Sequence, residues 1–136
     1  MKKKHFFLSF VTLLILVSII AMPRFIGRKP LEELSINEIE RVDVELFPPG
    51  KKITLTVEEI TRLVPLLHDV VTYQEDPSYN QYDGQAVVFT ILKKDGMTNT
   101  VMAYNPFIVL NGTGYRTQYK PCEQLNNFAN ELARTK

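Results

Sequence analysis

Cys122 is the chain's single cysteine, and together with His68 it is the pair whose side chains could do covalent chemistry. A thiol beside an imidazole performs acyl transfer when the two meet and the thiol is readily ionised. Their separation along the chain follows no motif. Helical projection puts both at the margin of an apolar face, Cys122 beside Leu125 and Ala129, and a cysteine so placed behaves as a small hydrophobe. An envelope hydrolase built on Cys122 and His68 is therefore the alternative reading, and the principal reading assigns no catalytic residue.

A second cluster is Glu75, Asp76, Asn80 and Asp83, oxygen donors of the type a hard cation takes from a flexible loop. It lacks the alternating Asp/Asn spacing and closing Glu of an EF-hand, so a solvated acidic loop accounts for it more simply, and no metal or cofactor is implied. The same segment carries Tyr73, Tyr79 and Tyr82. Amphipathic rings on a polar loop are good contact groups for a peptide or glycan. Tyr73, Tyr79, Tyr82, Asp76 and Asp83 are accordingly the candidate binding residues. No Gly-rich phosphate loop, zinc spacing, Gly-x-Ser-x-Gly elbow or His-Glu-x-x-His occurs.

The elements that must position these groups are legible in the hydrophobic pattern. Arg41–Leu46 alternates charged and apolar residues, Pro48-Pro49-Gly50 breaks the chain, and Lys51–Thr56 resumes the alternation, which predicts a hairpin. Thr56-Val57-Glu58-Glu59 is a capping box, and Ile60, Leu63, Val64, Leu67, Val70 and Val71 then share one helical face. Pro65 lacks an amide, which predicts a kink or a restart there. Tyr73–Gly84 reads as a loop. Gln85–Lys93, Met97–Tyr104, Phe107–Leu110 and Gly114–Gln118 form a meander through turns at Asp95-Gly96, Asn105-Pro106 and Asn111-Gly112. From Pro121 a closing helix places Leu125, Phe128, Ala129 and Leu132 at i, i+3, i+4 and i+7. The predicted order is β-β-α-β-β-β-β-α, an α+β fold in which an antiparallel sheet is packed by two helices.

Two of these segments, Phe-Thr-Ile-Leu-Lys-Lys-Asp-Gly and Ile-Val-Leu-Asn-Gly-Thr-Gly-Tyr, together with the Thr-x-x-Glu-Ile helix entry, carry a resemblance. Between Ile39 and Leu132 the chain resembles small domains of unknown function that Gram-positive bacteria carry behind a single anchor or lipoprotein signal. The resemblance implies a bacterial cell-envelope setting and brings no catalytic residues with it. Pro65 departs from the uninterrupted helix of those domains.

Ahead of the domain, Lys2, Lys3 and Lys4 precede an apolar run from Phe6 to Met22 whose polar members are Ser9, Thr12 and Ser18. At about 1.5 Å per residue the run covers roughly 26 Å, near the lower limit for a bilayer's hydrocarbon core. Ile19-Ile20-Ala21 is a poor cleavage site and no lipid-accepting Cys follows, which predicts an uncleaved signal anchor over 6–22 rather than a removed signal. Lys2–Lys4 on one side tie with Arg24, Arg28 and Lys29 on the other, so the positive-inside count is even. The short N-terminus (1–5) is expected to stay cytoplasmic, with 23–30 as a juxtamembrane linker and 31–136 as one extracytoplasmic domain.

All 15 acidic residues lie after position 30, against 10 of the 16 basic ones, so the domain carries a net charge of −5. Nucleic acid is a poor partner for such a surface. The expected partners are the bilayer, through 6–22, and a membrane or cell-envelope protein. The role that follows is a non-enzymatic binding or accessory module, or alternatively a purely structural subunit recognisable by an exposed apolar patch on its sheet.

Overall fold

In the computed structural model, which describes residues 2–136, the alternating segments pair into one antiparallel sheet of seven strands. An apolar helix, α1 (Lys2–Phe25), comes first. The domain runs β1 (Ile39–Phe47), β2 (Lys51–Thr54), α2 (Val57–His68), β3 (Thr72–Glu75), β4 (Ala86–Lys93), β5 (Thr98–Tyr104), β6 (Phe107–Leu110), β7 (Thr113–Thr117) and α3 (Tyr119–Thr135), with short 3-10 turns at Ile36–Glu38 and Pro77–Gln81. Across the sheet the order is β2-β1-β4-β5-β6-β7-β3.

Register explains the main core. Leu46, Val87, Ala103, Ile108 and Tyr115 stand opposite one another across five consecutive strands, and Val44, Phe89 and Val101 form the next row. Because side chains alternate faces, these residues all point to one side. There they meet Ile60, Leu63, Val64 and Leu67 of α2 and Cys122, Leu125, Phe128, Ala129 and Leu132 of α3. The rings of Phe89 and Phe128 lie 6.5 Å apart, and Arg62 of α2 reaches Glu131 of α3 at 2.9 Å. The α+β class, the antiparallel sheet and the two covering helices agree with the hydrophobic pattern.

The Thr56 capping box forms as read, with Thr56 accepting from the Glu59 amide and Glu59 from the Thr56 amide. Asn111 and Gly112 both adopt positive φ, 48° and 86°, the pair a tight two-residue hairpin turn requires. α2 continues through Pro65, which is exposed and falls in its last turn, where little helix remains to be broken.

Three expectations are corrected. α2 ends at His68 with Asp69 as its cap, so Val70 and Val71 are buried beyond the helix and not on its face. The segment read as loop from Tyr73 begins with a strand, β3, which pairs with β7 and makes the predicted order one strand short. The 23–30 linker is not free chain: α1 continues to Phe25, and Arg28 then forms an antiparallel bridge to Thr72, its N–H donating to the Thr72 carbonyl and its carbonyl accepting in return, both at 2.8 Å. Gly27 makes this approach possible, since a Cβ there would run into Val71 and stand 3.1 Å from the Tyr73 ring. Lys29 adds an exposed ion pair to Asp69 at 3.5 Å. The outer edge of β3 is thereby partly covered, one way of blunting an edge strand. Met1, part of the expected cytoplasmic N-terminus, lies outside the described residues.

Candidate functional site

The sheet order forces the tyrosine-bearing segment across a face. β3 occupies the edge beside β7, whereas the next strand in sequence, β4, lies on the far side of β7, β6 and β5. With strands about 4.8 Å apart, the chain must travel about 19 Å sideways. The helices fill one face, so residues 76–85 cross the other.

Side chains on that second face receive them. Tyr104, Phe107 and Arg116 are neighbours in register, as are Met102, Val109 and Gly114. Phe107 is wholly buried yet belongs to no part of the helix-side core. Its ring takes Tyr82 at 5.2 Å and Tyr79 at 6.4 Å, both tilted, and the Arg116 guanidinium at 4.6 Å. Gly114 leaves room for this layer: a Cβ there would stand 2.7 Å from the Asp76 carbonyl oxygen and meet the Tyr79 ring. Tyr104 donates its hydroxyl to the carbonyl of Tyr82. The crossing segment is therefore a second, smaller core.

Asp76 locks its start. One carboxylate oxygen accepts from the Ser78 amide at 2.9 Å and the other from Arg116 Nε at 2.6 Å, while the Asp76 amide donates to the Gly114 carbonyl at 2.8 Å. The Ser78 hydrogen bonds, with Arg116 second, hold the Asp76 carboxyl down at about 2. A depressed carboxylate contributes stability above its unfolded value and loses it as pH falls through the folded one, here between about pH 4 and pH 2. Asp76→Asn is expected to lower the urea midpoint at pH 6 and to flatten its fall between pH 4 and pH 2. Parallel urea titrations of both proteins over that range check it, and identical pH profiles would remove Asp76 from the account.

The five candidate residues thus divide. Tyr79 and Asp76 hold the segment to the sheet, and Tyr82 does so with one side of its ring while remaining 50% exposed. Asp83 follows it, exposed and in no ion pair among the described residues. Tyr73 is set apart on β3, where its hydroxyl accepts from Gln118 at 3.1 Å and its ring lines a cleft of about 850 Å³ between the end of α1 and the sheet edge. Glu75, Asp76, Asn80 and Asp83 do not converge, and among the described residues no three acidic, His or Cys side chains gather as a metal site would require.

Cys122 and His68 are not joined by a hydrogen bond. The Cys122 thiol is fully buried and donates to the Phe107 carbonyl at 3.4 Å, and burial pushes its pKa up to about 12. His68 gives its Nε2 to the Leu34 carbonyl at 2.8 Å, pinning the turn before β1 to the end of α2. As arranged, the thiol is protonated at neutral pH, and among the described residues no hydrogen bond joins it to a base.

Comparison with protein-family models, with curated proteins and with solved structures finds no match to this chain.

Proposed function

We propose that the chain is a single-pass membrane protein of a bacterial cell envelope, with its N-terminus in the cytoplasm and its α+β domain outside. There it acts as a non-enzymatic binding or accessory module for a neighbouring membrane or envelope protein. One observation carries this reading. The stretch Lys3–Ile20 is long and apolar enough to cross a membrane, and none of it is buried against a domain that completes its core without it. Eighteen residues of helix span about 27 Å.

The half-exposed ring of Tyr82 and the Asp83 carboxylate supply the contact surface. Their support is the layer on Phe107, which limits the conformational entropy lost when a partner binds.

Protease treatment of intact cells, followed by mass measurement of the protected fragment and of the untreated chain, tests the placement. The expected result is a domain digested from outside and an untreated chain that retains residues 2–22. A domain protected in intact cells and digested only after lysis would overturn it, as would a chain beginning beyond residue 22.

A further inference from the structure

The cleft between α1 and the sheet edge brings apolar residues at the end of the membrane-length stretch together with charged residues of both signs. Ile20, the last residue of the membrane-length stretch, forms its lower wall, and Ile26 lies further along the same side, 57% exposed. From Ile20 to the helix end at Phe25 the axis advances about 7.5 Å. A bilayer's polar layer on one side is about 5–7.5 Å thick, taken as half the difference between total and hydrocarbon thickness. On the placement proposed above, the cleft therefore opens at the depth of the phospholipid headgroups. Its volume of about 850 Å³ lies within the range of small-molecule sites.

The charges along it are of both signs. Arg28, Lys29, Glu32 and Glu75 line the cleft; Lys29 is paired with Asp69, and among the described residues none of the other three makes an ion pair. The backbone bridge of Arg28 to Thr72 fixes Arg28 beside the strand that carries Glu75. A purely anionic headgroup would meet two carboxylates. A choline headgroup has no N–H to give them.

We propose that this cleft binds the headgroup of a phospholipid bearing a primary ammonium, of the phosphoethanolamine type. Its phosphate is held by Arg28 and its ammonium by Glu75 and Glu32, while Tyr73 walls the site and Ile26 meets the lipid's glycerol end. Guanidinium matches phosphate geometry, and an ammonium donates three hydrogen bonds to carboxylates. The site rests on the membrane reading, and it adds a lipid specificity that anchoring alone does not require.

The full chain in nanodiscs of equal dioleoyl phosphatidylethanolamine, phosphatidylcholine and phosphatidylglycerol tests it by native mass spectrometry of the lipids that stay bound on release. Phosphatidylethanolamine is expected to be retained about tenfold over either competitor, the scale of one or two charge-assisted hydrogen bonds. Glu32→Gln with Glu75→Gln should bring it down to the phosphatidylcholine level, Arg28→Gln should lower retention of all three lipids, and Glu58→Gln on the exposed face of α2 should change nothing. Equal retention by the wild-type chain, or preference for phosphatidylglycerol, overturns the proposal. So does displacement of the bound lipid by soluble phosphoethanolamine at equal concentration, which would mean a soluble ligand. Carbonate washing of vesicles of the same composition separates the two readings. A chain that stays in the vesicles without lipid preference sinks the headgroup site alone, and a chain that washes out sinks both.

Discussion

Phe107→Ala is expected to cost about 3–5 kcal/mol of stability, the range for removing a fully buried phenylalanine ring. Against a typical total of about 5–15 kcal/mol, that is a third or more. Phe107 has no exposed surface, and its ring is the platform on which Tyr79, Tyr82 and Arg116 rest. With the ring gone, Asp76 and Arg116 keep their ion pair, but the residues between Asp76 and Gln85 lose the apolar surface that holds them to the sheet. Two effects should appear together: a lower urea midpoint, and faster amide hydrogen exchange confined to the crossing segment. Phe89→Ala is the comparison, because Phe89 is equally buried on the opposite face against Phe128. It should be comparably destabilising while leaving the crossing segment protected under native conditions. If Phe107→Ala costs under about 1 kcal/mol, or leaves exchange in 76–85 unchanged, the second core does not hold that segment.

That second core marks where the sequence stopped being readable. Strands that alternate polar and apolar residues, such as Val42-Asp43-Val44, and hairpins closed by Asp-Gly or Asn-Gly announce themselves through local period and turn chemistry, and the sheet, the capping box and the closing helix follow from such signals. β3 does not announce itself. Val70-Val71-Thr72-Tyr73 is a run of strand formers, but Val70 and Val71 also continue the apolar stripe of α2, so the period favoured extending the helix through Asp69. Only pairing with β7, a contact distant in sequence, makes a strand of Thr72–Glu75. Its position at the far edge of the sheet is what sends residues 76–85 over the second face.

The candidate site was affected by the same long-range fact. Tyr79 and Asp76 read as free contact groups because nothing local packs against a tyrosine ring or pairs an aspartate with a cation. Their partners, Phe107, Gly114 and Arg116, arrive from strands some 30 to 40 residues later. A glycine inside a strand, Gly114, was the one available signal, since such a glycine often marks the close approach of other chain. Gly27 carries the same message at the β3 edge, where it admits the Arg28–Thr72 bridge. Two glycines thus mark two places where the chain lies back against its own sheet.

The bridge at Arg28 ties the chain after α1 to the sheet edge, yet none of the stretch 3–20 is buried against the domain, and this leads to the largest effect expected of any substitution. Leu13 and Leu14 lie near the middle of the apolar stretch and are more than half exposed. On the placement proposed above, replacing both by arginine would put two charges at the centre of a bilayer, at about 2.5–3.5 kcal/mol each, or about 5–7 kcal/mol together. That shifts the partition from membrane to water by roughly four to five powers of ten. The double variant is expected to leave the membrane pellet, while the domain keeps the urea midpoint it has in the wild-type chain. The second half of that expectation follows from the core, to which no residue of the stretch 3–20 contributes. Sedimentation after carbonate extraction reads the first half, and urea unfolding of the released protein reads the second. A double variant that remained in the carbonate-washed pellet would mean that the stretch 3–20 is not what holds the chain. A released domain that no longer unfolds cooperatively would mean that α1 is part of the fold and not a tether.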